Sequence, residues 1–293
     1  MSTLRRQEPA GAGLKRIACA QVESAIRSLT RQAGQAIAAE QAIAQTNAVL
    51  ALIEPDLPRP IGRRDKAILA RLGGGLTELT DPAHLAERLA SNYKKSPSDA
   101  ALAAAVKNLR KRWAKHNPSG SALSSKAGSF NPVIYRLVAD MAELRGHLGD
   151  WPIDGISSDQ PPRGLRRTYS KARRLAAEPI TPDSLKPLAE AATELAIQLG
   201  VISKACPGML KAQRKLIARA AESLQDLIHD NVLHAALRAE LGKAASSSLP
   251  KRKPLTQQTA GPLSELNTAV TETPAAFMKR VQAYWSAWRS ESA

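Results

Sequence analysis

Apolar residues return every three or four positions along nearly the whole chain, and that period restricts the fold to packed helices. In 103–116, Val106, Leu109 and Trp113 share one stripe; in 165–177, Leu165, Tyr169 and Ala172 do. Only short runs of Gly, Pro or Ser interrupt the pattern. Helices are expected over 14–30, 35–53, 64–79 (broken at 73–75), 82–93, 99–116, 133–148, 165–177, 182–203, 208–241 (itself broken) and 275–289. The Ser/Gly-rich stretch 117–130 reads as a loop, and 245–261 as a mobile segment. Composition agrees, since aromatics are only 3% and much of the 43% hydrophobic content is Ala and Leu. Those two are strong helix formers, whereas a sheet protein would favour Val, Ile, Thr and aromatics. An all-α fold is expected.

The order of these segments occurs twice. Gly13-Leu14-Lys15-Arg16 opens one half and Gly164-Leu165-Arg166-Arg167 the other. In each half a longer helix follows, then a Leu-x-x-Leu step (Leu76 and Leu79, Leu224 and Leu227), then a helix bearing aromatics. The expectation is two pseudo-symmetric helical bundles, 13–150 and 160–293, that share a seam. No run reaches 18 apolar residues, so no membrane-spanning helix is expected. Arg5 and Arg6 are followed by no apolar stretch, which argues against a secretory signal and for the cytoplasm. Cys19 and Cys206 each sit inside an amphipathic pattern and read as buried thiols.

Charge narrows the function. Lys plus Arg number 42 against 26 Asp plus Glu, a net charge of +16 that opposes compaction and favours an anionic partner. The cations fall in stripes at helical spacing: Lys107, Lys111 and Lys115; Arg167, Lys171 and Arg174; Lys211, Lys215 and Arg219. Glu178 is the one acid four residues away from these cations. A nucleic-acid partner is disfavoured, because no zinc-finger spacing, basic zipper or stacking platform is evident. A bare phosphate chain needs only a row of cations. The five histidines form no ligand motif, and no phosphate loop or nucleophile elbow occurs. No metal, cofactor or catalytic residue is therefore expected.

Gly164-Leu165-Arg166-Arg167-Thr168-Tyr169-Ser170-Lys171-Ala172-Arg173-Arg174 resembles the signature of the conserved histidine α-helical domain family, CHAD. Met141-Ala142-Glu143-Leu144-Arg145 and Asp150-Trp151-Pro152 resemble it too, and the likeness runs from about residue 13 to 290. It implies two four-helix bundles around a basic cavity that binds inorganic polyphosphate without catalysis. The Glu-x-Glu-x-Lys motif of the triphosphatase domain that often precedes this one is absent, so a stand-alone member, associated with polyphosphate granules, is expected. The family's helix with His, Arg, Lys and Lys at 0, 3, 4 and 7 falls here on Ile37, Glu40, Gln41 and Ala44, and again on Lys186, Ala189, Glu190 and Thr193. Most of that charge is gone. Polyanion contacts are expected instead from Lys15, Arg16, Arg166, Arg167, Lys171, Arg173 and Arg174, with Lys186, Lys211 and Lys215 in support. The alternative is an interaction protein that kept the fold and binds a protein, membrane or nucleic-acid partner.

Overall fold

The computed structural model describes residues 3–31, 36–94, 97–114, 132–153, 156, 159–205, 208–245 and 249–290. Among the described residues the chain is all-helical with no strand. The helices are α1 (Ala10–Arg31), α2 (Ala36–Ile53), α3 (Arg59–Asn92), α4 (Ala100–Ala114), α5 (Pro132–Gly149), α6 (Gly164–Ala177), α7 (Pro182–Val201), α8 (Met209–Ala245), α9 (Leu255–Ala269) and α10 (Pro274–Ser290). A 3-10 turn, Glu54–Asp56, links α2 to α3.

α2 and α7 lie at the centre, and their Ala-rich faces explain why. Ala39, Ala42 and Ala48 on α2, and Ala189, Ala191 and Ala192 on α7, are buried, and small side chains let helix axes approach closely. α2 packs on α1, α3, α6 and α7, while α7 packs on α2, α6 and α8. The buried Gln198 amide of α7 donates to the Ala48 carbonyl of α2 at 3.1 Å. The stretch Ala36–Asp56 is long and apolar enough to cross a bilayer, with mean hydropathy 1.3, yet 56% of its 18-residue apolar window is buried inside the protein. That burial is what a core helix requires.

One apolar core runs from Leu4 to Trp288 and includes residues of both halves. A smaller core joins Leu85 and Leu89 of α3, Val106, Leu109 and Trp113 of α4, Leu233 and Leu237 of α8, and Leu249. The two longest helices, α3 and α8, therefore pass from one core into the other.

Several boundaries differ from the sequence expectation. α3 is one helix through the three glycines 73–75 and through Pro82, where two were expected. Leu72, Leu76, Thr80, Leu85 and Leu89 are buried along it, and that packing outweighs the weak helix propensity of Gly and the hydrogen bond lost at Pro. α8 likewise continues without the expected break until Gly242, whose φ of 67° is open to glycine. The segment 245–261 was expected to be a loop, but it is helical from Leu255 onward. Pro254 stands at that helix's N-cap, and Thr259 is buried by it. Cys19 is half-buried rather than buried, and burial raises its thiol pKa. The loop expected over 117–130, Lys115 and Cys206 lie outside the described residues.

Candidate functional site

α6 divides sharply into two faces. Leu165, Thr168, Tyr169, Ala172, Leu175 and Ala176 are buried, while Arg166, Arg167, Lys171, Arg173 and Arg174 are exposed. Tyr169 fixes the rotation of the helix. Its ring stacks on Phe277 with centroids 4.0 Å apart, and its hydroxyl donates to the Glu272 carbonyl at 3.2 Å. Burial first, then the neighbouring Glu272 charge, pushes its pKa up to about 12. The hydroxyl therefore stays a donor, and the basic face stays turned to solvent.

Gly164 sets where that face begins. A Cβ there would lie 1.9 Å from the Ala51 carbonyl oxygen and 2.6 Å from that of Leu52. Only glycine permits so close an approach of α6 to the end of α2. Gly11 at the start of α1 makes the same kind of approach, since a Cβ there would lie 1.9 Å from the Ile153 carbonyl oxygen.

This approach brings the first turn of α6 against the 3-10 turn. The Arg167 Nη1 donates to Glu54 Oε2 at 2.8 Å, and Lys66 Nζ of α3 lies 2.6 Å from Glu54 Oε1. Arg163 Nε reaches Asp56 at 3.6 Å. The starts of α3 and α6 thus meet in one cationic surface around Glu54, and Arg59 and Arg63 are exposed on the first turns of the same α3. Sequence reasoning missed Lys66, Arg163, Arg59 and Arg63. The signal was present in the basic run of 59–66, but nothing local shows that Lys66 shares a carboxylate with α6.

The expected residues divide into committed and uncommitted. Among the described residues, Arg166, Lys171 and Arg173 make no side-chain hydrogen bond or ion pair; Arg174 pairs with Glu178 at 2.9 Å and Arg167 with Glu54. Arg16 is less available than expected. Its guanidinium holds Glu8 at 2.5 Å and the Thr3 carbonyl at 3.1 Å, fastening the N-terminal segment to α1. Burial raises the Glu8 pKa, but hydrogen bonds from Arg16 and the Arg5 backbone outweigh it and the net shift is downward. Lys15 donates to the Trp151 carbonyl at 3.4 Å, on the α5 side. Lys211 and Lys215 are exposed on α8, where Gln213 donates to the α9 carbonyl of Ala269 at 2.6 Å. Arg219 on the same stripe pairs with Glu265 at 3.1 Å. The stripes looked free of acids in sequence because two of their partners, Glu54 and Glu265, come from other elements.

The face that lost its cations lies elsewhere, at the seam of α2, α3, α7 and α8. Glu40 of α2 sits 3.6 Å from His84 Nε2 of α3 and accepts from Thr77 at 3.4 Å. His84 stacks on His229 of α8 with centroids 4.9 Å apart and planes 16° from parallel. Arg88 bridges to Asp226 at 2.8 Å and to Asp230 at 3.6 Å. Lys186 of α7 is exposed, and its charge reaches Asp81 of this group. Burial raises the Glu40 pKa, but hydrogen bonds with His84, Thr80 and Thr77 outweigh it, so the carboxylate is held ionised. A carboxylate so held accepts hydrogen bonds and is poorly placed to donate a proton. Among the described residues no group of His, Cys, Asp and Glu is arranged to hold a metal ion.

A family model described as CHAD domain matches residues 37–238. No curated protein and no solved structure gives a significant match.

Proposed function

The chain belongs to the CHAD domain family, and from that premise we propose that it binds inorganic polyphosphate along the cationic surface where α6 meets the start of α3, without catalysing a reaction on it. The observation that carries this reading is the exposed α6 face, where Arg166, Lys171 and Arg173 carry charge that no described residue neutralises. Arg166 and Arg173, seven residues apart, mark one edge of that face, and Lys171 marks the other beside Arg167 and Arg174. Phosphates laid across it bind by releasing counterions, and a phosphate chain asks for no base recognition. At the seam Glu40, Asp226 and Asp230 already hold His84 and Arg88, so the ligand is assigned to the outer surface rather than to the emptied helix faces.

The test is binding of long-chain polyphosphate and of double-stranded DNA at equal phosphate concentration across a salt series. Polyphosphate should bind more tightly, and the slope of log K against log salt should fall by up to about three units in the Arg166→Gln/Lys171→Gln/Arg173→Gln variant. Equal binding of DNA, or no effect of the triple variant, would favour an interaction protein instead. Incubation of polyphosphate or nucleoside triphosphate with the protein and magnesium or manganese should release no phosphate.

Internal duplication forms part of the same reading. The packing order α1–α2, α2–α3, α3–α4 and α1–α5 recurs as α6–α7, α7–α8, α8–α9 and α6–α10. Superposition of experimental coordinates for 13–150 on 160–293 checks it. A cytoplasmic protein gathered at polyphosphate granules follows from this function, and fluorescence imaging of the tagged protein tests it.

A further inference from the structure

The cations of α3 and α6 meet across a carboxylate. Each oxygen of Glu54 holds a cation from a different helix, Oε1 at 2.6 Å from Lys66 and Oε2 at 2.8 Å from Arg167. The side chains of Lys66 and Arg167 remain 47% and 62% exposed, and that of Glu54 24%. A solute can therefore reach both cations. The turn that carries Glu54 is stiff: Pro55, Pro58 and Pro60 fix the backbone around it, and Leu57 is anchored in the core. Asp56 repeats the arrangement beside it with Arg163.

We propose that Glu54 is the resident occupant of an anion site shared by α3 and α6, and that a phosphoryl group of an incoming chain takes its place between Lys66 and Arg167. The proposal rests on the polyphosphate reading and assigns that site an internal competitor. Two carboxylate oxygens stand where two phosphoryl oxygens would sit. A lone phosphate gains little by the exchange, since it swaps one anion for another. A chain that continues onto Arg166, Lys171 and Arg173 offsets the displacement of Glu54 with contacts the carboxylate never makes. The site thus favours long chains over short ones.

The experiment measures binding of long-chain polyphosphate and of tripolyphosphate to wild type, Glu54→Gln, Asp56→Asn and Glu78→Gln across a salt series. Glu78 is an exposed acid on α3 that pairs with none of these cations, so it controls for net charge. Glu54→Gln should bind long chains about three- to tenfold more tightly at low salt, as expected when two exposed ion pairs no longer compete. Its salt slope should steepen by about one to two units. The gain should be larger for tripolyphosphate, and Asp56→Asn should change binding in the same direction by less. A Glu54→Gln variant that melts like wild type yet binds no more tightly than Glu78→Gln overturns the proposal. If wild type binds and the Arg166/Lys171/Arg173 variant weakens it while Glu54→Gln does nothing, only the competitor is refuted. If neither wild type nor Glu54→Gln binds, the polyphosphate reading falls with it.

Discussion

Asp65 has no exposed surface, and its neighbours account for that burial. Trp151 Nε1 donates to Oδ2 at 2.8 Å, while the Arg64 Nε and His147 Nδ1 lie 2.9 and 3.1 Å from Oδ1. One carboxylate thus ties the end of α5 and the Trp151 indole to α3. Removing it strands a buried indole N–H and an imidazole, so Asp65→Ala should destabilise the fold by about 3 kcal/mol in chemical denaturation. Asn would leave one of its amide hydrogens facing a donor, so Asp65→Asn should recover only part of the loss. A neutral effect of both would show that these bonds contribute nothing net. The motif Asp150-Trp151-Pro152 could be read in the sequence. Its acceptor, Asp65, lies 86 positions from Trp151, and nothing local reveals that distance.

At the scale of elements, the placement of α6 depends on one glycine. Gly164→Ala would drive a methyl group into the Ala51 carbonyl, which lies 1.9 Å from the ideal Cβ position. Helix and carbonyl must separate, at an expected cost of about 2–4 kcal/mol measured by thermal unfolding. The same shift should weaken the Arg167–Glu54 pair. The α3–α8 seam should respond to pH instead. The hydrogen bond with Glu40 raises the His84 pKa, burial opposes it, and the charges of Glu40, Asp81 and Glu87 add to the rise. Burial and then the charge of His84 lower that of His229, with Arg88 acting in the same sense and Asp81 and Asp226 against it. Gln225 approaches His229 Nε2 at 3.3 Å, and Lys186 acts on this cluster from α7. His84 stabilises the fold fully below the ordinary imidazole pKa of about 6.5 and loses that contribution as pH rises through its raised value. His229 contributes above about 6.5 and loses its contribution as pH falls through its lowered value. The pair therefore favours holding one proton. His229→Phe should flatten the acid limb of the stability profile, and His84→Phe the limb at higher pH. Unchanged profiles in both variants would show that the stack is not coupled to folding.

For the whole molecule, the decisive feature is a core shared by both halves under a net charge of +16. Leu4 N donates to the Val201 carbonyl at 3.2 Å, and Gln198 to Ala48 at 3.1 Å, so main-chain and side-chain bonds also cross between halves. Fragments 13–150 and 160–293 should each fail to fold alone, as read by circular dichroism and cooperative melting. The intact chain repels itself, and a multivalent anion that binds only the folded state should counter this. Long-chain polyphosphate should raise Tm well beyond sodium chloride of equal ionic strength, and an equal response to both would mean simple screening.

The sequence by itself determined most of the helices, the apolar faces that bury them and the exposed basic stripe of α6, because these depend on periodicity within one segment. The sequence also made the family legible in the run Gly164 to Arg174, but left the helix Leu255–Ala269 unforeseen. It did not reveal that α3 runs unbroken through 73–75 and Pro82, because burial of Leu72, Leu76 and Leu85 by other helices outweighs local propensity. Nor did it show which cations are free. Arg167 and Arg219 meet Glu54 and Glu265 only once the helices have packed, and Arg16 meets Glu8 only once the N-terminal segment folds back on α1. Charge along a helix is set by the sequence, but neutralisation depends on distances of a few ångströms between separate elements. Tertiary structure alone decides those distances.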